Sequence, residues 1–518
     1  MTTRNAALVA AMILLAAASA FATTYYVDPT AGNDSNAGTS QTAAWKDIPG
    51  TLNITGSGWK TIVAGDSIIV KGGTVSTVSV QIDSSHYNNG ASGNLIKILS
   101  GDLSGWGTGR AVIDGGATTS GSGTYGMGFH IFGPTYIHIE GFEIRNMANV
   151  AESAGVYIDG NSVGYDEVVG NLIHEIYGSP GDNGYGIEIT GGTVNGYFLV
   201  EKNIIYHTEE KAIELYRQGY STIRYNYVYQ TNDHCIVISS PNNTIYRNII
   251  AQSGYHWMTY ETPFRPAFGL KFDGGSGITA DGNLMYDNLV WDCSSGIGIL
   301  NANNNQIYFN TVYHSGFQGG EAGGFEGASF AFKDDDGTGD AGDGNTVKDN
   351  IFYYNNILNS SGQTVAFPSA MGSNNTVSDN VIYRDATYTN TVYLYTGSSS
   401  WYTLAWFQVS CGFSAYGSGN VASGNRAVDP QMAGGVGAAL LAACPAGFNS
   451  SWQPITNAMS LSSSTPSSVV VGDTMASPMN YDVVMTLRTN FSLGAYESGS
   501  SGTGSQPPAA PTGFRIGP

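Results

Sequence analysis

The sequence predicts an all-β protein, a right-handed parallel β-helix with an N-terminal cap and a C-terminal closing segment. Short strands with one pattern, in which two apolar residues alternate with variable ones, recur at 155–159, 186–190, 212–216, 235–239, 269–273, 296–300 and 329–333. A second phrase, which begins with asparagine, alternates with the first. Asn203 and Asn226 are 23 residues apart and Asn226 and Asn248 are 22 apart, a spacing that suits one bare coil of a solenoid.

The asparagines of the second phrase recur in phase with the strands. They are Asn171, Asn203, Asn226, Asn248, Asn288, Asn310, Asn350 and Asn380. The longer intervals among them indicate coils with inserted loops. One coil cannot bury its own apolar face, so the coils must stack around a continuous core. An inward asparagine at the same corner of each coil is expected to form a ladder of amide hydrogen bonds, as stacked asparagines do in cross-β structure.

The first 22 residues have the pattern of a secretory signal peptide. Arg4 supplies the positive charge, 6–20 is the apolar run, and Ala20-Phe21-Ala22 is the cleavage motif. We therefore expect a secreted protein, extracellular or periplasmic. Residues 23–400 are predicted to form the β-helix with its N-terminal cap, 401–497 the C-terminal closing segment, and 498–518 a flexible Gly/Ser/Pro tail.

The charge balance restricts the partners of this chain. It carries 40 acidic against 20 basic residues, a net charge of −20, which disfavours nucleic-acid binding. No apolar run after the signal is long enough for a membrane span, and we expect a monomer. Cys235 and Cys293 are predicted to be small buried hydrophobes, and Cys411 and Cys444 could form a disulfide.

Alternation within each strand predicts which side chains point away from the core. In successive coils the outward position between the two apolar residues holds Tyr157, Glu188, Glu214, Val237, Lys271, Gly298 and Ala331, and the next outward position holds Asp159, Thr190, Tyr216, Ser239, Asp273, Leu300 and Lys333. Since adjacent strands lie about 4.8 Å apart, Glu188 and Glu214 should be side by side, with Lys271 two coils beyond. The small residues Gly298 and Ala331 should leave an open trough above this lysine.

Two neighbouring carboxylates repel each other, so one takes up a proton or a cation lies between them. Calcium suits this role because it accepts several oxygen ligands in irregular geometry, and the predicted ligands are Asp159, Glu188 and Glu214. The alternative is a surface glutamate ladder held loosely by arginines such as Arg217. A second acidic run, 334–340 with Asp343 and Asn345, fits either a structural calcium loop or a solvated turn.

The opening of the mature chain, Tyr25-Tyr-Val-Asp-Pro-Thr-Ala-Gly-Asn-Asp-Ser-Asn-Ala-Gly-Thr39, is followed by Ala44-Trp-Lys-Asp-Ile48. It resembles the N-terminus of secreted bacterial right-handed parallel β-helix proteins, many of them polysaccharide lyases and related carbohydrate-active enzymes. Segments 65–73 and 111–115 look like the first coils of that class, and 404–408, 428–431 and 490–497 look like its closing segment. The resemblance implies a cap over the first coil, whose sheet edge would otherwise be exposed.

The resemblance to lyases implies β-elimination on an acidic, uronate-containing polysaccharide. Lys271 is then the best-placed base, with Glu214 and Arg217 as further catalytic residues. A lysine base must lose its proton near neutral pH, which bare glutamates oppose and a calcium ion would favour. The predicted substrate-binding residues are Tyr157, Tyr216, Asp273, and Trp257 and Arg265 of the insertion 254–266, whose aromatic rings either stack on sugars or pack the loop onto the coil.

Two other functions remain open on the same scaffold. A glycoside hydrolase would use two carboxylates from Asp159, Glu188 and Glu214, and carboxylates two coils apart would fit inversion of the anomeric configuration. A non-catalytic, adhesive cell-surface protein is favoured by the acidic, glycine-rich surface and the tail.

Overall fold

The computed structural model describes residues 22–430 except 52–57, 119–124, 149–151, 161–163, 179–182, 192–195, 255–266, 276, 314, 316–327, 335–340, 355–362, 368–371, 385–391, 396–398, 403 and 409–417, together with Ser464, Ser467 and Ala495. The predicted signal peptide up to residue 21, Cys411, Cys444, most of the closing segment and the tail lie outside the described residues. Within them, no helix combines the length and the hydrophobicity that a membrane span requires.

The strands of the described residues form three long sheets, and successive strands of a coil belong to sheets B, A and C in turn. Sheet A consists of β1 (Thr24–Val27), β2 (Ser67–Val70), β5 (Ile96–Ser100), β8 (Ile137–Glu140), β11 (Glu167–Val169), β14 (Leu199–Glu201), β17 (Thr222–Arg224), β20 (Thr244–Tyr246), β23 (Leu284–Tyr286), β26 (Gln306–Tyr308), β29 (Thr346–Lys348), β32 (Thr376–Ser378) and β36 (Val421–Ser423).

Sheet B consists of β4 (Val80–Asp83), β7 (Met127–Phe132), β10 (Ser153–Asp159), β13 (Gly184–Ile189), β16 (Ile213–Tyr216), β19 (Ile236–Ser239), β22 (Phe268–Asp273), β25 (Ser295–Leu300), β28 (Ala328–Lys333), β31 (Gln363–Phe367), β34 (Val392–Tyr395) and β35 (Ser399–Tyr402). Sheet C consists of β3 (Val75–Ser76), β6 (Val112–Asp114), β9 (Glu143–Ala148), β12 (Leu172–Tyr177), β15 (Ile204–Thr208), β18 (Tyr227–Tyr229), β21 (Ile249–Ala251), β24 (Leu289–Trp291), β27 (Thr311–Tyr313), β30 (Ile351–Tyr354) and β33 (Val381–Arg384). The helical elements whose full span is described are short: two 3₁₀ turns, Gln41–Ala43 and Gly101–Ser104, and an α-helical turn, α1 (Leu404–Phe407).

The inner faces of the sheets enclose one continuous apolar core. Ile187 of β13 stacks on Ile213 of β16, which in turn stacks on Ile236 of β19, and all three side chains are fully buried. The strands pair in parallel along the stack, and the pair β34–β35 is antiparallel. The predicted parallel β-helix is therefore confirmed. At its N-terminal end, β1 adds to sheet A by pairing with β2, while the buried Trp45 stacks on Tyr25 with 4.6 Å between ring centroids.

The predicted asparagine ladder is present at the corner before sheet C. Asn226 Nδ2 donates to Asn248 Oδ1 at 3.0 Å, and Asn248 Nδ2 donates to Asn288 Oδ1 at 3.0 Å. Each Oδ1 also accepts the backbone N–H of the preceding asparagine, for example Asn226 N at 3.0 Å from Asn248 Oδ1. The ladder continues to Asn425, one coil beyond the predicted series.

A second asparagine ladder, at the corner before sheet A, is absent from the sequence-based prediction. Its members are Asn243, Asn283, Asn305, Asn345, Asn375 and Asn420. Each stands five residues before a member of the first ladder, and this constant offset is the signal that could have revealed it. The two asparagines bracket the sheet A strand of each coil, which the sequence pattern also left unidentified. Asn345 belongs to this ladder, where its Oδ1 accepts from Asn305 Nδ2, and residues 335–340 of the acidic run lie outside the described residues.

Asn248→Ala should lower the free energy of unfolding by about 2–4 kcal/mol. The side chain of Asn248 accepts two bonds from Asn226 and donates to Asn288 and to the carbonyl oxygens of Ile223 and Tyr246. Its removal leaves several buried groups unpaired, each at a cost of about 1–3 kcal/mol, which relaxation reduces. Urea unfolding measures the loss, and the exposed Asn88→Ala is the matched control. A loss below 0.5 kcal/mol for Asn248→Ala would contradict the structural role assigned to the ladder.

Candidate functional site

Sheet B presents a row of outward side chains, one for each coil, that we call the central column. Its members are Gln81, His130, Tyr157, Glu188, Glu214, Val237, Lys271, Gly298 and Ala331. The strand register therefore confirms that Glu188 and Glu214 are neighbours and that Lys271 lies two coils from Glu214. Polar and aromatic members occupy the part of the column from His130 to Glu214.

Glu188 lies in the middle of this polar part and is 7% exposed. Burial, the nearby carboxylates of Glu152 and Glu214, and a hydrogen bond with Glu152 raise the pKa of Glu188 to about 9. Among the described residues, no group donates a hydrogen bond to its buried Oε2 atom. This shift favours the protonated form of Glu188, which is the form that can donate a proton.

Glu214, on the next coil, is paired with a lysine that the sequence analysis missed. Lys211 Nζ lies 3.2 Å from Glu214 Oε2 and 2.6 Å from Glu210 Oε1. Burial raises the pKa of Glu214, while the ammonium group of Lys211 opposes this rise. Burial also acts on Glu210, but Lys211 outweighs it there and the pKa of Glu210 is lowered.

Lys211 is itself enclosed, with 15% of its side chain exposed and its Nζ 5.2 Å from the centroid of the Tyr185 ring. Burial lowers its pKa, but the Coulombic attraction of Glu214 and Glu210 outweighs burial and raises it. The result is a fixed positive charge between two carboxylates. Lys211 stands just before β16, outside the alternating pattern, and the run Glu209-Glu210-Lys211 was the available signal for it.

Lys271 is 7% exposed and its Nζ lies 3.0 Å from Asp273 Oδ2. The open trough predicted above this lysine is wrong. The outward side chains of Phe268 and Leu300 occupy the space above Gly298. A Cβ atom at Gly298 would lie 2.7 Å from Phe268 Cε1. Together with Ala331 they form a buried apolar cluster, because the missing side chain of Gly298 provides space that larger neighbours fill.

The coils on the other side of Glu188 supply aromatic groups. The Tyr157 ring lies 5.2 Å from the His130 ring, and His130 Nε2 is hydrogen-bonded to Asp159 Oδ1 at 2.7 Å. Burial, followed by the charges of Glu188 and Glu152, raises the pKa of Tyr157. At the end of β16 the guanidinium of Arg217 lies 4.9 Å from the Tyr216 ring centroid, a cation–π contact beside the column.

Two of the three calcium ligands predicted from the sequence are engaged in ion pairs with neighbouring side chains. Asp159 is engaged by His130, and Glu214 by Lys211. In the part of the chain that the structure describes, no group of three or more His, Cys, Asp or Glu side chains is arranged to hold a metal ion. Calcium at this site stays a prediction. Trp257 and Arg265, predicted to bind substrate, lie outside the described residues.

Comparisons with known proteins agree with the architecture. Residues 127–312 match the family model described as "Right handed beta helix region". No curated protein sequence matches the chain.

Two solved structures show how far the likeness extends. The structure of the pectate lyase Pel9A is 14% identical, covers 92% of this chain and 96% of its own, and has a TM-score of 0.52. That of the GH136 lacto-N-biosidase from Eubacterium ramulus is 14% identical, covers 78% of this chain and 68% of its own, and has a TM-score of 0.52. At these identities the likeness concerns the fold. The chain is thus a right-handed parallel β-helix protein, similar in architecture to β-helix enzymes that act on carbohydrates.

Proposed function

We propose that this protein is a glycoside hydrolase whose catalytic pair is Glu188 and Glu214. The observation that carries the proposal is the contrast between two carboxyl groups on adjacent strands. Glu188 holds its proton, with a pKa of about 9, whereas Glu214 has an ammonium group 3.2 Å away that favours its carboxylate form. A pair of carboxyl groups whose environments separate their protonation states is the arrangement that glycoside hydrolysis requires.

In the proposed reaction Glu188 is the general acid and Glu214 the nucleophile. Glu188 donates its proton to the glycosidic oxygen as the bond from that oxygen to the anomeric carbon breaks, while a carboxylate oxygen of Glu214 bonds to the anomeric carbon. Glu188, now ionised, then takes a proton from water as the water oxygen displaces Glu214 from the anomeric carbon. The products are a reducing sugar and the shortened chain, and both carboxyl groups regain their starting states.

The strand register supports retention of the anomeric configuration. Retaining enzymes keep their carboxyl groups about 5–5.5 Å apart, and inverting enzymes about 6.5–9.5 Å apart. Glu188 and Glu214 are direct partners on β13 and β16, strands that lie about 4.8 Å apart. This neighbouring pair therefore favours retention, whereas the two-coil pair Asp159 and Glu214 would have favoured inversion.

A lyase acting on an acidic polysaccharide is the second candidate, and Lys271 is the observation in its favour. It is a nearly buried lysine on the same column, where a base for β-elimination would be needed. Its Nζ lies 3.0 Å from Asp273 Oδ2, an ion pair that would have to break before the amine could act on a substrate. The same pair suits a second role, in which Lys271 holds a polar group of the substrate. The site is also rich in carboxylates, which favours a neutral over an anionic sugar at the point of cleavage.

One incubation experiment separates the candidates. The protein is mixed with neutral and acidic polysaccharides, with calcium and with chelator, and new reducing ends and ultraviolet absorbance are followed together. We expect reducing ends without the absorbance of an unsaturated uronate, on a neutral polymer, with retention of configuration in the first product by NMR. Lys271→Ala should then keep measurable hydrolysis, with at most a tenfold loss for one missing polar contact, about 1.4 kcal/mol.

Absorbance that rises on a uronate polymer and disappears in Lys271→Ala would replace the hydrolase by the lyase, and dependence on calcium would support the predicted metal. If no polymer gives either new reducing ends or ultraviolet absorbance, a non-catalytic, adhesive protein becomes the best interpretation.

A further inference from the structure

Four tyrosines form a stacked row along the corner between sheets B and A, which we call the tyrosine ladder. The ring centroids of Tyr136 and Tyr165 are 4.6 Å apart, those of Tyr165 and Tyr197 are 5.1 Å apart, and those of Tyr197 and Tyr220 are 5.3 Å apart. The planes differ by 3°, 9° and 24°, so the rings are nearly parallel. Tyr165 and Tyr220 are 42% and 45% exposed, which is unusual for large side chains in this molecule.

The backbone at this position does not favour tyrosine. All four residues have φ between 51° and 60°, in the left-handed region that suits glycine and asparagine and penalises bulky side chains. The corresponding position of the following coils holds Asn242, Gly282, Asn304, Gly344, Asn374 and Gly419, all with positive φ. The hydrogen bond from Tyr220 N to Pro241 O, one residue before Asn242, shows that the column is continuous. Backbone conformation therefore does not explain why these four positions hold tyrosine, and another cause is needed.

The extent of the ladder coincides with the polar part of the central column. The four coils whose corner holds Tyr136, Tyr165, Tyr197 and Tyr220 are the coils that carry His130, Tyr157, Glu188 and Glu214 on sheet B. At the next coil both features end together, since the column continues with Val237 and the corner with Asn242. A ladder that served only to stack coils would have no reason to end where the carboxylates end.

We propose that the tyrosine ladder is a binding surface for a neutral glycan chain and holds the polymer beside the catalytic pair. The inference rests on the proposed function and adds a substrate class to it. Because the rings stack on one another, the faces between them are covered, and a bound chain meets ring edges and hydroxyls, which exchange hydrogen bonds with sugar hydroxyls. The ladder carries no charged side chain, so it suits a neutral chain of pyranose units. Its rings repeat once per coil, and this repetition suits a polymer that extends along the helix axis.

The test uses asparagine, the residue that other coils already have at this position. The double variant Tyr165→Asn with Tyr220→Asn is made in the Glu188→Gln background, so that no polymer is consumed. Binding to xylan, glucomannan, β-glucan and polygalacturonate is measured by affinity gel electrophoresis. We expect binding to at least one of the neutral polymers, with a Kd raised about tenfold by the double substitution. Tyr165→Phe with Tyr220→Phe keeps the stacked rings and removes the hydroxyls, so it should raise the Kd while thermal stability stays unchanged.

Tyr308→Asn is the matched control, because Tyr308 lies on β26 of sheet A, outside the four coils. Thermal unfolding of every variant is measured in parallel. The proposal is overturned if the parent binds none of the neutral polymers, or if the double asparagine variant loses thermal stability while its Kd stays unchanged, which would mark the ladder as structural. Hydrolysis is measured separately with the unsubstituted catalytic pair. If the protein hydrolyses the polymer but the double asparagine variant binds it as tightly as its parent, only the ladder proposal is rejected. If the ladder binds the polymer but the protein does not hydrolyse it, only the catalytic assignment is rejected.

Discussion

Glu188→Gln is expected to lower kcat on the polysaccharide substrate by about 10²–10⁴-fold, the usual contribution of a positioned general acid. Glutamine has the shape of the protonated side chain but cannot donate the proton to the leaving oxygen. KM should change little, because the glutamine amide keeps the volume and polarity of the acid. The measurement is the rate of formation of reducing ends under saturating substrate at pH 7.

The control for this prediction is a Glu→Gln substitution on a different sheet, away from the central column. Glu167 lies on β11 of sheet A, where it contacts His138 at 2.8 Å. Glu167→Gln should leave kcat within a factor of two. If Glu188→Gln retained more than a tenth of the parental kcat, Glu188 would not be the general acid.

Glu188 should also determine how stability depends on pH. Its pKa is raised from 4.5 in the unfolded chain to about 9 in the folded protein, so between these values the folded state holds a proton that the unfolded state has released. The free energy of unfolding must then fall as pH rises through this window, by up to about 1.4 kcal/mol per pH unit for one proton. The Glu188→Gln variant lacks this group, and its stability relative to the parent should increase from pH 5 to pH 9. Urea unfolding at several pH values tests the sign.

Lys211→Met is expected to lower the free energy of unfolding by about 3–5 kcal/mol at pH 7, because breaking an enclosed ion pair leaves uncompensated charge. Without the ammonium group, Glu210 and Glu214 repel each other across the space that Lys211 Nζ occupies. The loss should shrink as pH falls, because these carboxylates then take up protons. Hydrolysis should fall as well, because the pKa of Glu214 rises further and less of it is ionised to act as nucleophile.

Lys202→Met is the appropriate comparison for this prediction. Lys202 Nζ also lies 2.8 Å from a glutamate, Glu201, but its side chain is 56% exposed. An exposed pair of this kind contributes about 0–1 kcal/mol. Equal losses for Lys211→Met and Lys202→Met would mean that the position of Lys211 between two carboxylates has no special energetic role.

Much of the candidate site was predictable because period-two alternation decides which side of a strand each residue faces. The repeat aligned Glu188 with Glu214, and the structure confirms that register. The apolar pattern likewise placed Cys235 and Cys293 in the interior, where both are buried. The first asparagine ladder was predictable because its asparagines recur at the same place in each repeat of the sequence.

Other features depend on the path of the chain outside the strands and on packing between coils, neither of which alternation determines. Lys211 precedes its strand, so its approach to Glu214 depends on the path of the chain before β16. The space above Lys271 appeared open because the sequence shows that Gly298 is small, but not that Phe268 and Leu300 fill the gap.

The repeat and its alternation were therefore sufficient to predict the fold, the orientation of the sheet B strands and the central column from Tyr157 to Ala331. The tertiary structure decided the chemistry of that column. It brought Lys211 to Glu214 and left Glu188 among carboxylates, so two glutamates with the same sequence pattern acquired different electrostatic surroundings. It also aligned four tyrosines from separate turns into one ladder. Burial and charge act over a few ångströms in space, and the stacked coils bring within that range Tyr157, Glu188 and Glu214, which lie 31 and 26 positions apart in the chain.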